Sequence, residues 1–210
     1  MSIKKFRGYH GTLSEYAKSI LNNGFNLPKV SYKHDHWLGH GVYFFAYHFL
    51  ADYWATTKLN SYNSNNQNSK MDKAVLVADI EVEENHICDL DNPEEALKYN
   101  QAVTLYSREI ANGKVTIDFS NGLNKEDKYF DSNVKKRISC FYHDLYAEEN
   151  DVHFMIYTFK KPNPKFSGSL NIKNNKGNNI YIEYSEKQYC VFNSDIIKST
   201  ELYKEDYSIC

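Results

Sequence analysis

Near the end of the chain, "SEKQYCVFN" (185–193) sets the carboxylate Glu186 and the amide Gln188 two residues apart, ahead of an apolar run. Strand alternation puts both on one face with Cys190 and Phe192, and Tyr189 and Val191 on the other. Such a pair is either the working edge of a site or the solvated end of a core strand. At the other end, "YHGT" places His10 beside Gly11 and Thr12 where a strand meets a turn. A lone histidine there more often serves packing, but the glycine lets a ligand approach the backbone closely enough for its N–H and C=O to bind an amide. A third stretch, "LGHGVYFFAYHFLADYWA", carries two glycines one residue apart. It lacks the third glycine of a dinucleotide fingerprint and the lysine of a P-loop. Its aromatics Tyr43, Phe44, Phe45, Tyr53 and Trp54 suit either a core or a slot in which a flat heteroaromatic ring stacks.

Other residues carry plainer readings. His34, His36 and His40 approximate a metal cluster, but no cysteine or carboxylate follows at ligand spacing, so no metal is expected. Lys135-Lys136-Arg137 reads as a solvated helix face, and Cys190 as an inert core thiol.

The elements that must position these residues are legible in outline. "IKKFRGYHGT" reads as a strand and "SEYAKSILNNGF" as a helix, with Ser14 as N-cap, an apolar stripe of Tyr16, Ala17, Ile20 and Leu21, and Gly24 as its stop. "WLGHGVYFF" reads as a turn entering a strand, "AYHFLADYWATT" as a helix, and "LNSYNSNNQNSKMD" as a surface loop. "KAVLVADIEV" is the clearest strand, and "NPEEALKYNQAVTLYSREIANGK" a helix between Pro93 and Gly113. A further helix is expected over about 133–147, with Val134, Ile138, Phe141, Tyr142 and Leu145 on one side. "DVHFMIYTF" fits strand or buried helix equally, and "NNIYIEYS" and "KQYCVFN" are β-rich. Without regular βαβ spacing, the pattern favours α+β over a doubly wound sheet.

With 210 residues, 41% of them hydrophobic and 15% aromatic, the chain can bury a full core in a single domain. A net charge of −2 argues against a general nucleic-acid coat. The charge is uneven: residues 79–95 hold eight acidic side chains and no Lys or Arg, while between Lys135 and Lys176 basic residues outnumber acidic ones eight to four. No secretory h-region or membrane-length apolar run is present, and four cysteines without CxxC spacing suit free thiols, so a cytoplasmic location is expected.

Taken in order, "YHGT", the helix ending in "NNGF", "WLGHGVYF", the strand "VLVADIEV" and "QYCVFN" resemble the diphtheria-toxin-like ADP-ribosyltransferases, closest to the poly(ADP-ribose) polymerase-like catalytic domain. The resemblance spans nearly the whole chain and is weakest over about 91–179, which reads as a helical and loop insertion into a single domain covering 1–210. It implies a split antiparallel sheet with NAD+, as co-substrate, in the cleft between two half-sheets. It implies that His10 binds the adenosine-side ribose, that the Gly11 backbone holds the nicotinamide carboxamide with Thr12 beside it, and that Tyr43 stacks on nicotinamide. In the following helix Trp54, next to Tyr53, falls where an aromatic closes the far side of the ring. Ala51 falls where the family often has a hydroxyl, and it cannot donate a hydrogen bond.

The last motif departs from the pattern. The family's catalytic glutamate position holds Gln188, which keeps an acceptor oxygen and loses the negative charge. Cleaving the nicotinamide–ribose bond builds positive charge on the ribose, as in glycoside hydrolysis, and losing one preorganised electrostatic contact typically costs roughly 10²–10³ in rate. Four accounts stay open: a mono-ADP-ribosyltransferase that works without the glutamate, one in which Glu186 supplies the charge, an inactivated Glu-to-Gln form, and a non-catalytic NAD+ or ADP-ribose binding module. The resemblance thus implies His10, Tyr43, Gln188 and Glu186 as the reacting set, with a protein or nucleic-acid acceptor. By analogy it suggests a toxin of a toxin–antitoxin or phage-conflict system, with an antitoxin as candidate partner. An RNA 2'-phosphotransferase ranks last, because the first two motifs offer only Arg7 as a cation.

Overall fold

The structure, a computed structural model, describes residues 2–27, 36–65, 71–113, 118–120, 123, 125–127, 129–162 and 183–204. The readings of His34, of the lysines over 163–176 and of most of "NNIYIEYS" lie outside these residues. The chain is mixed α+β: the described residues form a seven-stranded, mostly antiparallel sheet with four α-helices.

The strands are β1 (Ile3–Leu13), β2 (Val42–Phe45), β3 (Lys73–Glu83), β4 (Ile87–Asp89), β5 (Phe154–Pro162), β6 (Glu183–Val191) and β7 (Ile197–Leu202). Their order is β4-β5-β6-β2-β1-β3-β7, and only β4 and β5 run parallel. The helices are α1 (Ser14–Asn23), α2 (His48–Asn65), α3 (Pro93–Ala111) and α4 (Phe130–Glu149). Parallel neighbours need a long crossover, which α3 and α4 supply between β4 and β5. The stretch 91–179 is therefore more than helix and loop, since β5 lies inside it as a full sheet member between β4 and β6.

Two groups of strands form long ladders. β1 pairs with β3 at every residue from Ile3 to Leu13, whereas β1 and β2 share one pair, Tyr9 with Phe45. The two halves also curl toward each other. Phe6 of β1 and Phe154 of β5 have ring centroids 4.7 Å apart, although three strand spacings in a flat sheet amount to about 14 Å. Phe44, Ile80, Val82, Phe154, Tyr189 and Val191 fill the space enclosed. The opposite face is covered by α2 through Leu50 and Ala51, and by α4 through Ala147.

Local sequence explains most of these elements. α3 begins with Asn92 accepting a hydrogen bond from the Glu94 N–H and Pro93 in its first turn. α1 ends at Gly24 with φ 73°, a conformation glycine adopts without strain. Three expectations are corrected. Leu13, not Ser14, is the N-cap of α1, and Ser14 makes no side-chain cap. α2 continues to Asn65, over the first seven residues of the expected surface loop. The buried positions of α4 are Asn133, Cys140, His143 and Ala147 rather than the apolar stripe read from the sequence. Of these, Cys140 donates to the His36 carbonyl, His143 meets the Ser139 carbonyl and stacks on Tyr99, and Ala147 packs in the apolar cluster with Met155 and Cys190.

Candidate functional site

Where β1 and β2 part beyond Tyr9, a cleft of about 1030 Å³ opens. This lies at the upper end of the range for small-molecule and cofactor sites. β1 contributes His10, Gly11 and Thr12, β2 contributes Tyr43, β6 contributes Gln188 and α2 contributes Trp54. Six sequence-predicted residues, drawn from positions up to 178 apart, thus line one cavity. Two do not: Tyr53 points off the cleft and is 43% exposed, and Glu186 is buried at 2% exposure behind Gln188.

The geometry fixes several chemical states. His10 Nδ1 lies 2.8 Å from the Tyr43 carbonyl oxygen. A carbonyl only accepts, so Nδ1 carries a proton and donates it there. Phe25 and Phe44 pack edge-on against the imidazole, with centroids 5.3 and 5.9 Å away.

Tyr43 is anchored by its hydroxyl. It accepts from the N–H groups of Trp37 (2.9 Å) and Leu38 (2.6 Å) and donates to the Gly39 carbonyl (2.8 Å). Burial pushes the phenol well above its ordinary pKa despite the two backbone donors. Tyr43 is therefore a neutral ring held in place, not a proton acceptor. The loop that clasps it is fastened by α4: Asp144 accepts from the His40 N–H at 2.6 Å and pairs with His40 Nδ1, and Lys136 sits 4.8 Å above the Trp37 ring. His40 is thus committed to Asp144. Asp144 was not legible in the sequence, lying 104 residues from its partner inside an ordinary helix.

Gln188 and Glu186 form a unit with Trp54. Trp54 Nε1 donates to Glu186 Oε1 at 3.2 Å, and Gln188 Nε2 donates to the same oxygen. A carboxylate only accepts, so the Gln188 nitrogen must face it, which directs the Gln188 oxygen away from Glu186. Glu186 acts on the cleft through these two side chains.

Gly11 has a structural reason of its own. A Cβ there would stand 1.9 Å from the Ala51 carbonyl oxygen, so β1 and α2 approach too closely for any side chain. Ala51 is fully buried in that contact rather than facing the cleft. The Gly11 carbonyl accepts from Lys58 Nζ at 3.2 Å. Histidines aside, Lys58 is the only charged residue among the described residues lining the cavity, with Ser61 and Tyr62 beside it. All three were missed as site residues because they fall at or beyond the expected end of α2. The other wall is α1, whose Tyr16 and Ile20 line the cleft, although Tyr16 is 55% exposed. Arg7 lies elsewhere, donating to Asp79 at 3.1 Å on the surface. Cys190 is fully buried and its thiol is held well above its ordinary pKa by burial.

No protein-family model matches the sequence. No solved structure matches it. Over 106 residues, half of this chain, it is 32% identical to an uncharacterized protein of Methanocaldococcus jannaschii, and it spans 46% of that protein's length. Among the described residues, no helix is long and apolar enough to cross a membrane.

Proposed function

We propose that the chain is an NAD+-dependent mono-ADP-ribosyltransferase with the split-sheet fold of the diphtheria-toxin-like enzymes. The observation that carries this reading is the convergence of His10, Gly11, Thr12, Tyr43, Trp54 and Gln188 on one cleft at the parting of β1 and β2. The cleft fits a dinucleotide in its chemistry: aromatic walls for flat rings, backbone and hydroxyl groups for amide and ribose, and one ammonium, Lys58, for a diphosphate.

NAD+ supplies a glycosidic bond whose cleavage releases nicotinamide and leaves ADP-ribose for an acceptor nucleophile. Tyr43 and Trp54 hold the nicotinamide ring, and His10 holds the adenosine-side ribose. The Gln188 oxygen accepts from a hydroxyl of the reacting ribose, and Glu186 orients that amide from behind. The Gly11 carbonyl takes the carboxamide N–H, which requires Lys58 to exchange that carbonyl for the diphosphate. The buried, neutral phenol of Tyr43 takes no part in proton transfer. As part of the same proposal, the acceptor is a protein or a nucleic acid and the setting is cytoplasmic. A toxin restrained by an antitoxin is the biological role that best suits a compact transferase of this kind.

A specific observation favours a second reading, a non-catalytic NAD+ or ADP-ribose binding module. The one carboxylate near the reacting position, Glu186, is enclosed and already accepts from Trp54 and Gln188. An RNA 2'-phosphotransferase is disfavoured by the single lysine among the described lining residues and by the engagement of Arg7 with Asp79.

The test is incubation with labelled NAD+ and cell extract, comparing the wild type with Gln188→Glu and Glu186→Ala. The transferase reading expects label transfer or nicotinamide release, with a gain of roughly 10²–10³ in Gln188→Glu if the amide is what limits the rate. Binding of NAD+ with no turnover by either wild type or Gln188→Glu would replace it with the binding module.

A further inference from the structure

Three side chains outside the cleft converge at the sheet edge where β4 and β5 begin. His86 ends the short 3-10 turn before β4, His153 immediately precedes β5, and Asp151 follows α4. The parallel pairing of Ile87 with Phe154, and the hydrogen bond from the His153 N–H to the His86 carbonyl at 2.9 Å, place the two histidines side by side. Their rings stack face to face, 4.3 Å between centroids and 4° from parallel.

Asp151 spans both rings at their edge. Its carboxylate oxygens lie 3.2 Å from His86 Nδ1 and 3.2 Å from His153 Nε2, and ligand atoms of the three residues all fall within 4.8 Å of one another. We propose that His86 Nδ1, His153 Nε2 and the Asp151 carboxylate bind a divalent transition-metal ion of the zinc class, with a fourth position open to solvent.

Four features support this. Two imidazoles and a carboxylate are a ligand set that zinc favours, and three protein ligands leave one position for water. Ligand atoms about 2.0–2.1 Å from a tetrahedral ion stand about 3.3 Å from one another, close to the two nitrogen–oxygen separations observed. Asp151 stands at φ 53°, a left-handed turn that Asp adopts readily, and that turn sets its carboxylate against both rings. Behind His86, its other ring nitrogen lies 3.2 Å from the Asn85 side-chain amide, with Glu83 Oε2 farther off at 4.0 Å. With the amide turned so that its oxygen faces the ring, Asn85 accepts the Nε2 proton and serves as the outer partner that a metal-bound histidine ordinarily has. His86 Nδ1 now lies 2.7 Å from the Asp151 carbonyl oxygen, so that hydrogen bond and its proton give way as the ion binds, and one ring turns out of the stack so that both nitrogens meet the ion. The side chains are open enough for an ion to enter, at 19%, 27% and 75% exposure for His86, His153 and Asp151.

The test uses the full chain, freed of any histidine tag and of metal, titrated with Co(II) by visible ligand-field absorption and with Zn(II) by calorimetry. The expected result is one ion per chain, with affinity lost by at least about 10-fold in His86→Ala, His153→Ala and Asp151→Asn. Asparagine tolerates the left-handed backbone at 151, so that variant removes the charge without disturbing the turn. Asn85→Ala, which removes the group behind His86, is expected to weaken binding by roughly 10-fold. No saturable binding by the wild type, or binding unchanged in the three ligand variants, would overturn the site.

Discussion

The orientation of one amide governs the chemistry available to this cleft. Because Gln188 gives its nitrogen to Glu186, it can offer its surroundings an acceptor oxygen without a charge. The same oxygen of Glu186 also receives Trp54 Nε1, so removing the carboxylate strands two donors in a place water barely reaches. Glu186→Ala is expected to lower unfolding free energy by about 1–3 kcal/mol for each stranded donor, and Glu186→Gln by less, both read from urea denaturation. Gly11 makes a complementary prediction. The atom that a Cβ would meet at 1.9 Å belongs to the backbone of α2 and cannot turn aside. Gly11→Ala should therefore destabilise by about 1–3 kcal/mol or more, with or without ligand, in the same urea assay. In the sequence, Gly11 read as a place for a ligand to approach. The structure adds that a helix already approaches there, a fact that sequence spacing cannot carry.

Among the elements, α4 does the least conspicuous work with the widest reach. Its Asp144, Lys136 and Cys140 all engage residues 36–40, and that loop clasps the Tyr43 hydroxyl. Asp144→Ala is expected to loosen Tyr43 without touching the cleft directly. The same face buries His143, stacked 5.0 Å from Tyr99, with its Nδ1–H donated to the Ser139 carbonyl at 2.7 Å. Burial lowers this imidazole from its ordinary 6.5 to about 4. The unfolded chain takes up that proton near pH 6.5 while the folded chain resists until about pH 4. The stability held by the neutral ring is therefore full above pH 6.5 and is lost as pH falls through that window. At about 1.4 kcal/mol per pH unit, the loss amounts to roughly 3 kcal/mol. His143→Gln should flatten this part of the pH dependence, measured as urea midpoints at pH 7.5 and 4.5. The buried face of α4 escaped the sequence reading because it is lined with Asn, Cys and His, while Phe141 and Leu145 drew the apolar stripe to a different side. α2 was cut short for a related reason. Asn and Ser dominate residues 60–65, and their weak helix propensity concealed the continuation of the helix to Asn65. Strands with β-branched runs, such as β3, were legible because burial on both faces leaves a continuous apolar signal.

For the whole molecule, the parting of β1 from β2 makes the cleft. One residue pair joins the two halves, and beyond it β1 keeps its full ladder with β3 while β2 leaves with β6. Hydrogen exchange should show the slowest amides in β3 at 75–82 and in β6 at 189–191. A ligand seated in the cleft should slow exchange at 10–13 and 36–43 first, because those segments flank the opening. The order "YHGT", "GHGVYF", "QYCVFN" was legible in the sequence, and the three motifs fall on the neighbouring strands β1, β2 and β6. What stayed hidden was depth: which of Glu186 and Gln188 meets the cleft, and that Lys58 guards it. The central claim is that this cleft binds NAD+, and calorimetric titration of the full chain with NAD+ tests it most directly. The account predicts saturable one-to-one binding, weakened in Trp54→Ala by about 1–3 kcal/mol, the usual worth of stacking on an aromatic side chain, and weakened again in Lys58→Met. An absence of binding to a folded wild-type chain, or binding indifferent to both substitutions, would contradict it.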